Sequence, residues 1–180
     1  MKLWTKQPVT VAQTLQTNGV YYADPAHLNV MSHVDHNFKV AYHWMFSQYR
    51  RKCRPPRQNI TPIWWYVYNY SNRPRFNYAP GDDSCCIIIA DVSADQLLLS
   101  NFEYWHFPLN DWWIHPTEEK TTAEWDCFER QYDLLPKDQR QQLKYQSWQQ
   151  IFNIDLSRHT QAISWQINAD DVIKIIYSKQ

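Results

Sequence analysis

The sequence predicts a single-domain α+β fold, with mixed, mostly antiparallel sheets and flanking helices. Strand-like segments rich in β-branched and aromatic residues are mixed with helical patterns, but the two do not alternate in regular β–α–β units. The 180 residues suffice for one domain with a hydrophobic core and are too few for two domains of ordinary size. No internal repeat and no linker divides them, so we expect one domain over residues 1–180.

The N-terminal third is predicted to run strand, helix, strand and long helix. KLWTKQ favours a strand, and PVTVAQTLQTNG follows as a helix that begins near Pro8 and ends at Gly19. VYYA then forms a short strand. From Asp35 to Lys52, inward-facing residues recur at helical spacing; these are Phe38, Ala41, Tyr42, Met45 and Tyr49.

The middle of the chain is predicted to be mainly strand. IWWYVYNY is aromatic and β-branched, which favours a strand, and CCIIIADV is a continuous apolar run typical of a strand buried on both faces. DQLLLSNF indicates a further short strand.

The C-terminal third is predicted to hold two helices followed by two strands. Thr121 and Glu124 form a capping box for a helix that extends to about Leu134, and Pro136 ends it. KDQRQQLKYQSWQQIF is the next helix. AISWQI and VIKIIY are the closing strands, joined by a turn at NADD. The inward residues of the second helix are predicted to be Leu143, Trp148, Ile151 and Phe152.

Composition excludes several function classes. Lys plus Arg is 18 and Asp plus Glu is 18, so the chain has no net positive charge that would indicate binding to nucleic acid or to a membrane. The chain has only 2 Gly, which excludes a Walker loop and a GxGxxG fingerprint. The abundance of aromatic residues, with 10 Trp and 12 Tyr, is the unusual feature.

The cysteines and apolar runs predict a reduced, cytoplasmic protein that does not span a membrane. None of the four cysteines belongs to a CxxC motif, and we expect no signal peptide. The apolar run around Ile87 to Ala90 is too short to cross a bilayer.

A metal site was considered at the histidines near the start of the long helix. His33, Asp35, His36 and His43 lie close together in sequence. An HxxH pair is common by chance, and zinc needs three or four converging ligands with supporting hydrogen bonds. We therefore expect no metal.

The stretch RRKCRPPR, residues 50–57, is a candidate anion-binding site. Five cations, Arg50, Arg51, Lys52, Arg54 and Arg57, lie within eight residues. Cations are also favoured at a helix C-terminus by the macrodipole alone. The functional alternative is a clamp for a phosphate or a nucleic-acid backbone, with the neighbouring aromatic strand offering faces for base stacking.

The run LSNFEYWHFPLNDWWIHP, residues 99–116, admits two interpretations. Buried Trp and Tyr need partners for their polar hydrogens, so the run can be a second aromatic core in which His106 and Asn110 supply those partners. Alternatively, Trp105, His106 and Asn110 form the wall of a ligand pocket. The two interpretations are compatible.

Motifs spread along the chain resemble an uncharacterised bacterial family known only as a domain of unknown function. They extend from residue 3 to about residue 177 and include LWTKQ, AYHWM, PIWWY, LLLSNFEYWHFPLN, SWQQIFN and QAISWQI. The family usually has Asp at the positions of His43, Asn101 and Asn153. This departure weakens a metal role for His43 and an essential acid role for either Asn.

A weaker resemblance is to ADP-ribosyltransferase-like domains. LWTKQ, PVTVAQTLQTNGVYY, PIWWYVY and TQAISWQINADDVIKIIY are similar to their elements in that order. The resemblance implies that Thr5 replaces the ribose-binding His or Arg and that Gln161 replaces the catalytic Glu. Both are departures, so the chain resembles a divergent transferase or a protein that binds a nucleotide without transferring it.

The resulting hypothesis is a divergent ADP-ribosyltransferase-like protein that binds NAD or another nucleotide. Thr5 and Gln161 hold the catalytic positions. The alternative is a non-enzymatic module that binds nucleic acid or a protein partner through the basic-aromatic surface. The ligand-binding residues are predicted to be Gln7, Trp64, Tyr66, Trp105, His106, Asn110, Arg50 and Arg54.

Overall fold

The computed structural model describes residues 1–26, 36–68, 74, 85–115, 121–156 and 159–178. Within them, eight strands and five α-helices are formed. The strands are β1 (Lys2–Pro8), β2 (Val20–Tyr21), β3 (Ile63–Val67), β4 (Cys85–Asp91), β5 (Leu98–Asn101), β6 (Thr160–Ser164), β7 (Ile167–Asn168) and β8 (Val172–Tyr177). The helices are α1 (Val9–Asn18), α2 (His36–Lys52), α3 (His106–Leu109), α4 (Thr122–Leu134) and α5 (Lys137–Ser147).

Six strands form one sheet in the order β5-β6-β3-β1-β4-β8, and every described pair is antiparallel. The strands β2 and β7 form a separate two-stranded sheet. Strands and helices do not follow a β–α–β pattern, so the prediction of an α+β fold with mostly antiparallel sheets is confirmed.

Helix α1 covers one face of the large sheet. Its buried residues Val11, Ala12 and Leu15 pack on that face, where β4 contributes Ile88, which is fully buried. Strand β4 is buried on both faces, as its continuous apolar sequence predicted.

Helix α2 covers the opposite face and builds an aromatic core. Its buried residues Met45 and Tyr49 join Trp105, Trp148 and Trp165 in one cluster. Trp148 follows α5, in a tighter 3-10 turn that spans Trp148–Phe152. The aromatic run after β5 therefore contributes Trp105 to a second core, as one interpretation of the sequence expected. His106 and Asn110 were expected to be the buried hydrogen-bond partners of that core, but both are exposed.

Three predicted elements differ in detail. AISWQI was expected to form one strand, but the structure divides it between β6 in the large sheet and β7 in the small one. Leu143 was expected inward, but it is 42% exposed, whereas Trp148 is fully buried. The two residues are five positions apart, about 140° around a helix, so they do not share a face. Strand β3 ends at Val67, and the last two residues of the predicted strand, 69–70, lie outside the described residues.

None of the helices in the described part of the chain is long and apolar enough to cross a bilayer.

Candidate functional site

The large sheet opens between its two central strands. The β1–β3 ladder ends where Trp4 lies opposite Tyr66. Strand β1 nevertheless continues along β4 as far as Pro8, and β3 is paired with β6 from Ile63 onward. The end of β1 and the start of β3 are therefore held by different neighbours, and a gap opens between them. We call this gap the strand-split cleft.

The strand-split cleft has a volume of about 460 Å³, which is within the usual range for small-molecule sites. Four aromatic side chains, Tyr21, Tyr42, Trp64 and Tyr66, line it together with polar side chains from β1 and from the segment just before β3. The remaining lining residues are Thr5, Lys6, Gln7, Pro8, Ala23, Thr61, Pro62 and Ile63.

The aromatic lining is held by other aromatic rings. Tyr42 and Trp64 meet edge to face with ring centroids 5.6 Å apart, and each contacts Trp105 behind them, at 5.7 and 5.3 Å. Tyr66 is stacked on Trp4 with centroids 4.6 Å apart. Such contacts restrict ring motion, so the cleft presents a preformed aromatic surface.

Two tyrosine hydroxyls in the cleft are protonated at neutral pH. Burial, and then the neighbouring Tyr66, raise the pKa of Tyr42 above its usual value. Burial, and then the carboxylate of Asp24, raise the pKa of Tyr21. Both side chains therefore keep a hydroxyl proton that can be donated in a hydrogen bond.

The two residues predicted at catalytic positions lie on opposite faces of the sheet. Gln161 pairs with Tyr66, which pairs with Trp4, so these three side chains share one face. Thr5 follows Trp4 and points to the other face, since side chains alternate along a strand. There it accepts a hydrogen bond from Gln7 Nε2 at 2.8 Å. The structure brings Thr5 and Gln7 together but does not bring Gln161 to them.

Gln161 is a buried amide. Its side chain is 4% exposed, and its Nε2 has no hydrogen-bond partner among the described residues. The residue is not part of the lining of the strand-split cleft. A buried donor without a partner costs free energy.

The predicted site residues after β5 also lie outside the cleft. Trp105 is buried behind it. His106 is exposed, with Nδ1 3.1 Å from the carbonyl oxygen of Phe102, and Asn110 Nδ2 donates to the His106 carbonyl at 2.8 Å. His106 and Asn110 thus make hydrogen bonds to the backbone around the short helix α3.

Arg50, Arg54 and Arg57 line a separate depression, which we call the basic groove. It follows the loop after α2 and has a volume of about 530 Å³. Arg51, from the same stretch, is not among its lining residues and lies 3.5 Å from Gln48 Oε1. The structure therefore groups three of the five clustered cations in one groove.

Tyr21 and Tyr42 are lining residues that the sequence did not indicate as ligand-binding. Tyr42 has the spacing of a core-facing helical residue, and Tyr21 lies in a two-residue strand. Both reach the cleft only because β2 and α2 pack beside the opening in the sheet. The spacing of residues along one helix or strand does not indicate which other elements will pack beside it.

Among the described residues, no group of three or more His, Cys, Asp or Glu could hold a metal ion. His33 and Asp35 lie outside the described residues, and His43 is exposed on α2.

Fold and site together define an α+β protein with a preformed aromatic cleft in a split antiparallel sheet. The chain belongs to the family described as "Domain of unknown function (DUF3841)", whose model matches residues 2–173. The expected membership of a family of unknown function is thereby confirmed. No curated protein and no solved structure matches the chain.

Proposed function

We propose that the strand-split cleft binds a nucleotide, NAD in particular, and that the protein is a divergent relative of ADP-ribosyltransferase-like domains. The observation that carries the proposal is the opening between β1 and β3, with aromatic rings on its walls and Thr5 and Gln7 at its edge. Planar bases stack on aromatic faces, and a few convergent polar groups orient them.

The resemblance to ADP-ribosyltransferase-like domains supports the same site. Two segments that carry this resemblance line the cleft. LWTKQ contributes Thr5 and Gln7, and PIWWYVY contributes Trp64 and Tyr66. Two segments that are distant in sequence thus meet where the resemblance implies that a nucleotide binds.

The proposal concerns binding and assigns no catalytic residue. Gln161, which the resemblance places at the position of the catalytic Glu, carries an amide in place of a carboxylate. It also lies on the opposite sheet face from Thr5. A carboxylate is the group that would stabilise a developing oxocarbenium ion, so we expect binding to be detected more readily than turnover.

Calorimetric titration of NAD, ADP-ribose and AMP tests the proposal. We expect a Kd of about 1 mM or tighter, equivalent to roughly −4 kcal/mol, for at least one of them. Trp64→Leu and Gln7→Ala should weaken binding. The matched controls are Trp112→Leu and Gln146→Ala, both at exposed positions outside the cleft, and they should leave binding unchanged.

Each variant is first checked by circular dichroism and thermal unfolding, because Trp64 also packs in the aromatic core. If no nucleotide produces heat with the folded wild type, the nucleotide proposal is wrong. Equal weakening by the cleft variants and by their controls would also count against the cleft as the site.

The basic groove favours a second candidate function. Arg50, Arg54 and Arg57 face one depression, and clustered guanidinium groups bind nucleic-acid backbones through counterion release. A non-enzymatic module that binds nucleic acid would show oligonucleotide affinity that falls steeply with salt. Negligible binding at every salt concentration would exclude nucleic acid and would leave a protein partner as the other ligand of such a non-enzymatic module.

A further inference from the structure

The strand-split cleft and the basic groove are joined by a third depression, which we call the middle section. The middle section shares the lining residues Tyr21 and Ala23 with the strand-split cleft. At its other end it shares Arg57, Asn59 and Ile60 with the basic groove. The three depressions are therefore adjacent, in order from the aromatic walls to the clustered arginines.

The basic groove is suited to an anion. Among its described lining residues, Arg50, Arg54 and Arg57 carry charge and none is acidic. No ion pair between described residues includes any of the three. The positive charges of three exposed arginines that line one groove repel each other, and a phosphate would neutralise them with paired, charge-assisted hydrogen bonds.

The loop that carries these arginines is held at both ends. At its start, Trp165 Nε1 donates to the carbonyl oxygen of Cys53 at 2.8 Å. At its end, Ile60 is buried, and the backbone N–H of Thr61 donates to the carbonyl oxygen of Ala23 at 3.1 Å. Between these points, Pro55 and Pro56 restrict the backbone further. A preformed loop loses less conformational entropy when it binds an anion.

The middle section offers groups suited to a sugar. Asp24 lines it, and its Oδ1 accepts the backbone N–H of Ala26 at 2.8 Å, whereas no described residue donates a hydrogen bond to its Oδ2. Carboxylates of this kind accept hydrogen bonds from ribose hydroxyls. Asn18 and Asn59 also line the section, and the Arg57 guanidinium lies 5.0 Å from the Tyr22 ring centroid, at the entrance to the basic groove.

We infer that the bound nucleotide is oriented along these three depressions, with its base in the strand-split cleft, its ribose beside Asp24 and its phosphates in the basic groove. The inference rests on the proposed nucleotide binding and adds to it the position of the phosphates. It places Arg50, Arg54 and Arg57 in the same ligand site as Trp64, although they lie on different elements and line different depressions.

A comparison of adenosine, AMP and ADP with the wild-type protein and three variants tests the inference. The variants are Arg54→Gln, Arg57→Gln and the control Arg51→Gln, which removes the same charge next to the groove but not in it. ADP should bind about tenfold or more tightly than adenosine, as charge-assisted hydrogen bonds predict. Arg54→Gln and Arg57→Gln should abolish that advantage, whereas Arg51→Gln should keep it.

The possible failures are distinguishable. If adenosine and ADP bind equally, and the arginine variants match the control, the phosphate assignment is wrong while the proposed nucleotide cleft stands. If neither adenosine nor any nucleotide binds, the proposed function fails and the assignment fails with it. If Trp64→Leu leaves ADP binding intact while the arginine variants remove it, the groove is an independent anion site and the inference is overturned. Tight binding of an oligonucleotide without binding of ADP overturns it in favour of nucleic acid.

Discussion

Tyr49 shows how a single side chain connects α2 to the sheet. It is fully buried, and its ring is stacked on Trp165 with centroids 4.6 Å apart. Its hydroxyl donates to the carbonyl oxygen of Gln96. Burial, and then the nearby Cys53, raise the pKa of Tyr49 far above its ordinary value. The folded protein therefore retains this proton where the unfolded chain loses it.

Tyr49→Phe should change how the stability of the protein depends on pH. Above about pH 10, the usual pKa of tyrosine, the unfolded state binds fewer protons than the folded state, so wild-type stability falls as pH rises. At neutral pH the variant should be less stable by about 1 kcal/mol because it lacks the hydrogen bond to Gln96. The difference should shrink above about pH 10.

Urea unfolding at about pH 8 and about pH 10.5 measures both effects. Tyr177→Phe is the control, because Tyr177 is 46% exposed on β8. The free energy of unfolding of Tyr177→Phe should change with pH in the same way as that of the wild type. A constant difference between Tyr49→Phe and the wild type at both pH values would contradict the buried, protonated hydroxyl.

At the scale of elements, the end of α1 positions the strand that lines the cleft. Gly19 has φ 73°, a left-handed conformation that side chains disfavour, and its N–H donates to the Leu15 carbonyl at 2.9 Å. Its own carbonyl accepts the Ala169 N–H at 2.8 Å, beside the β2–β7 pair. The glycine therefore ends the helix and turns the chain into β2, which carries Tyr21.

Gly19→Ala should destabilise the protein by about 1 kcal/mol, measured by urea unfolding. An added Cβ would meet nothing within 4 Å, so the cost is conformational. Gly19→Asn should cost less, since Asn tolerates this conformation. Gln16→Ala, on the exposed face of α1, is the control and should change stability by less than about 0.5 kcal/mol. If Gly19→Ala and Gly19→Asn lower the free energy of unfolding equally, the loss is caused by steric crowding and not by the backbone conformation of residue 19.

At the scale of the whole molecule, the order of strands decides which apolar residues stabilise the fold. Ile88 lies in β4, between β1 and β8, and is fully buried, whereas Ile173 in the edge strand β8 is 56% exposed. The continuous apolar run of β4 predicted the burial of Ile88, but the sequence did not indicate that β8 lies at the edge of the sheet.

Ile88→Ala should therefore lower the free energy of unfolding by about 2–5 kcal/mol, through lost burial and a residual cavity. Ile173→Ala is the matched control and should change it by less than about 0.5 kcal/mol. Urea unfolding measures the change in free energy for both variants, provided that the m-value stays the same. An equally large loss at Ile173 would indicate that β8 is covered by another surface, such as a second copy of the chain.

Local patterns in the sequence determined much of the fold. The aromatic and β-branched segments, the helical periodicity of α2, the glycine after α1 and the capping box at Thr121 and Glu124 each depend on neighbouring residues. The capping box is present, with the Thr121 N–H donating to Glu124 Oε2 at 2.8 Å. Such features can be predicted because their causes lie within a few positions of each other.

Only the tertiary structure decided which of these elements meet, and therefore where the candidate site lies. The sequence indicated Thr5, Gln7, Trp64 and Tyr66, which line the cleft, but it did not indicate Tyr42. It could not reveal that the β1–β3 ladder stops after Trp4, because strand pairing depends on contacts between segments some sixty positions apart. The position of the cleft follows from that interruption and from the packing of α2 beside it.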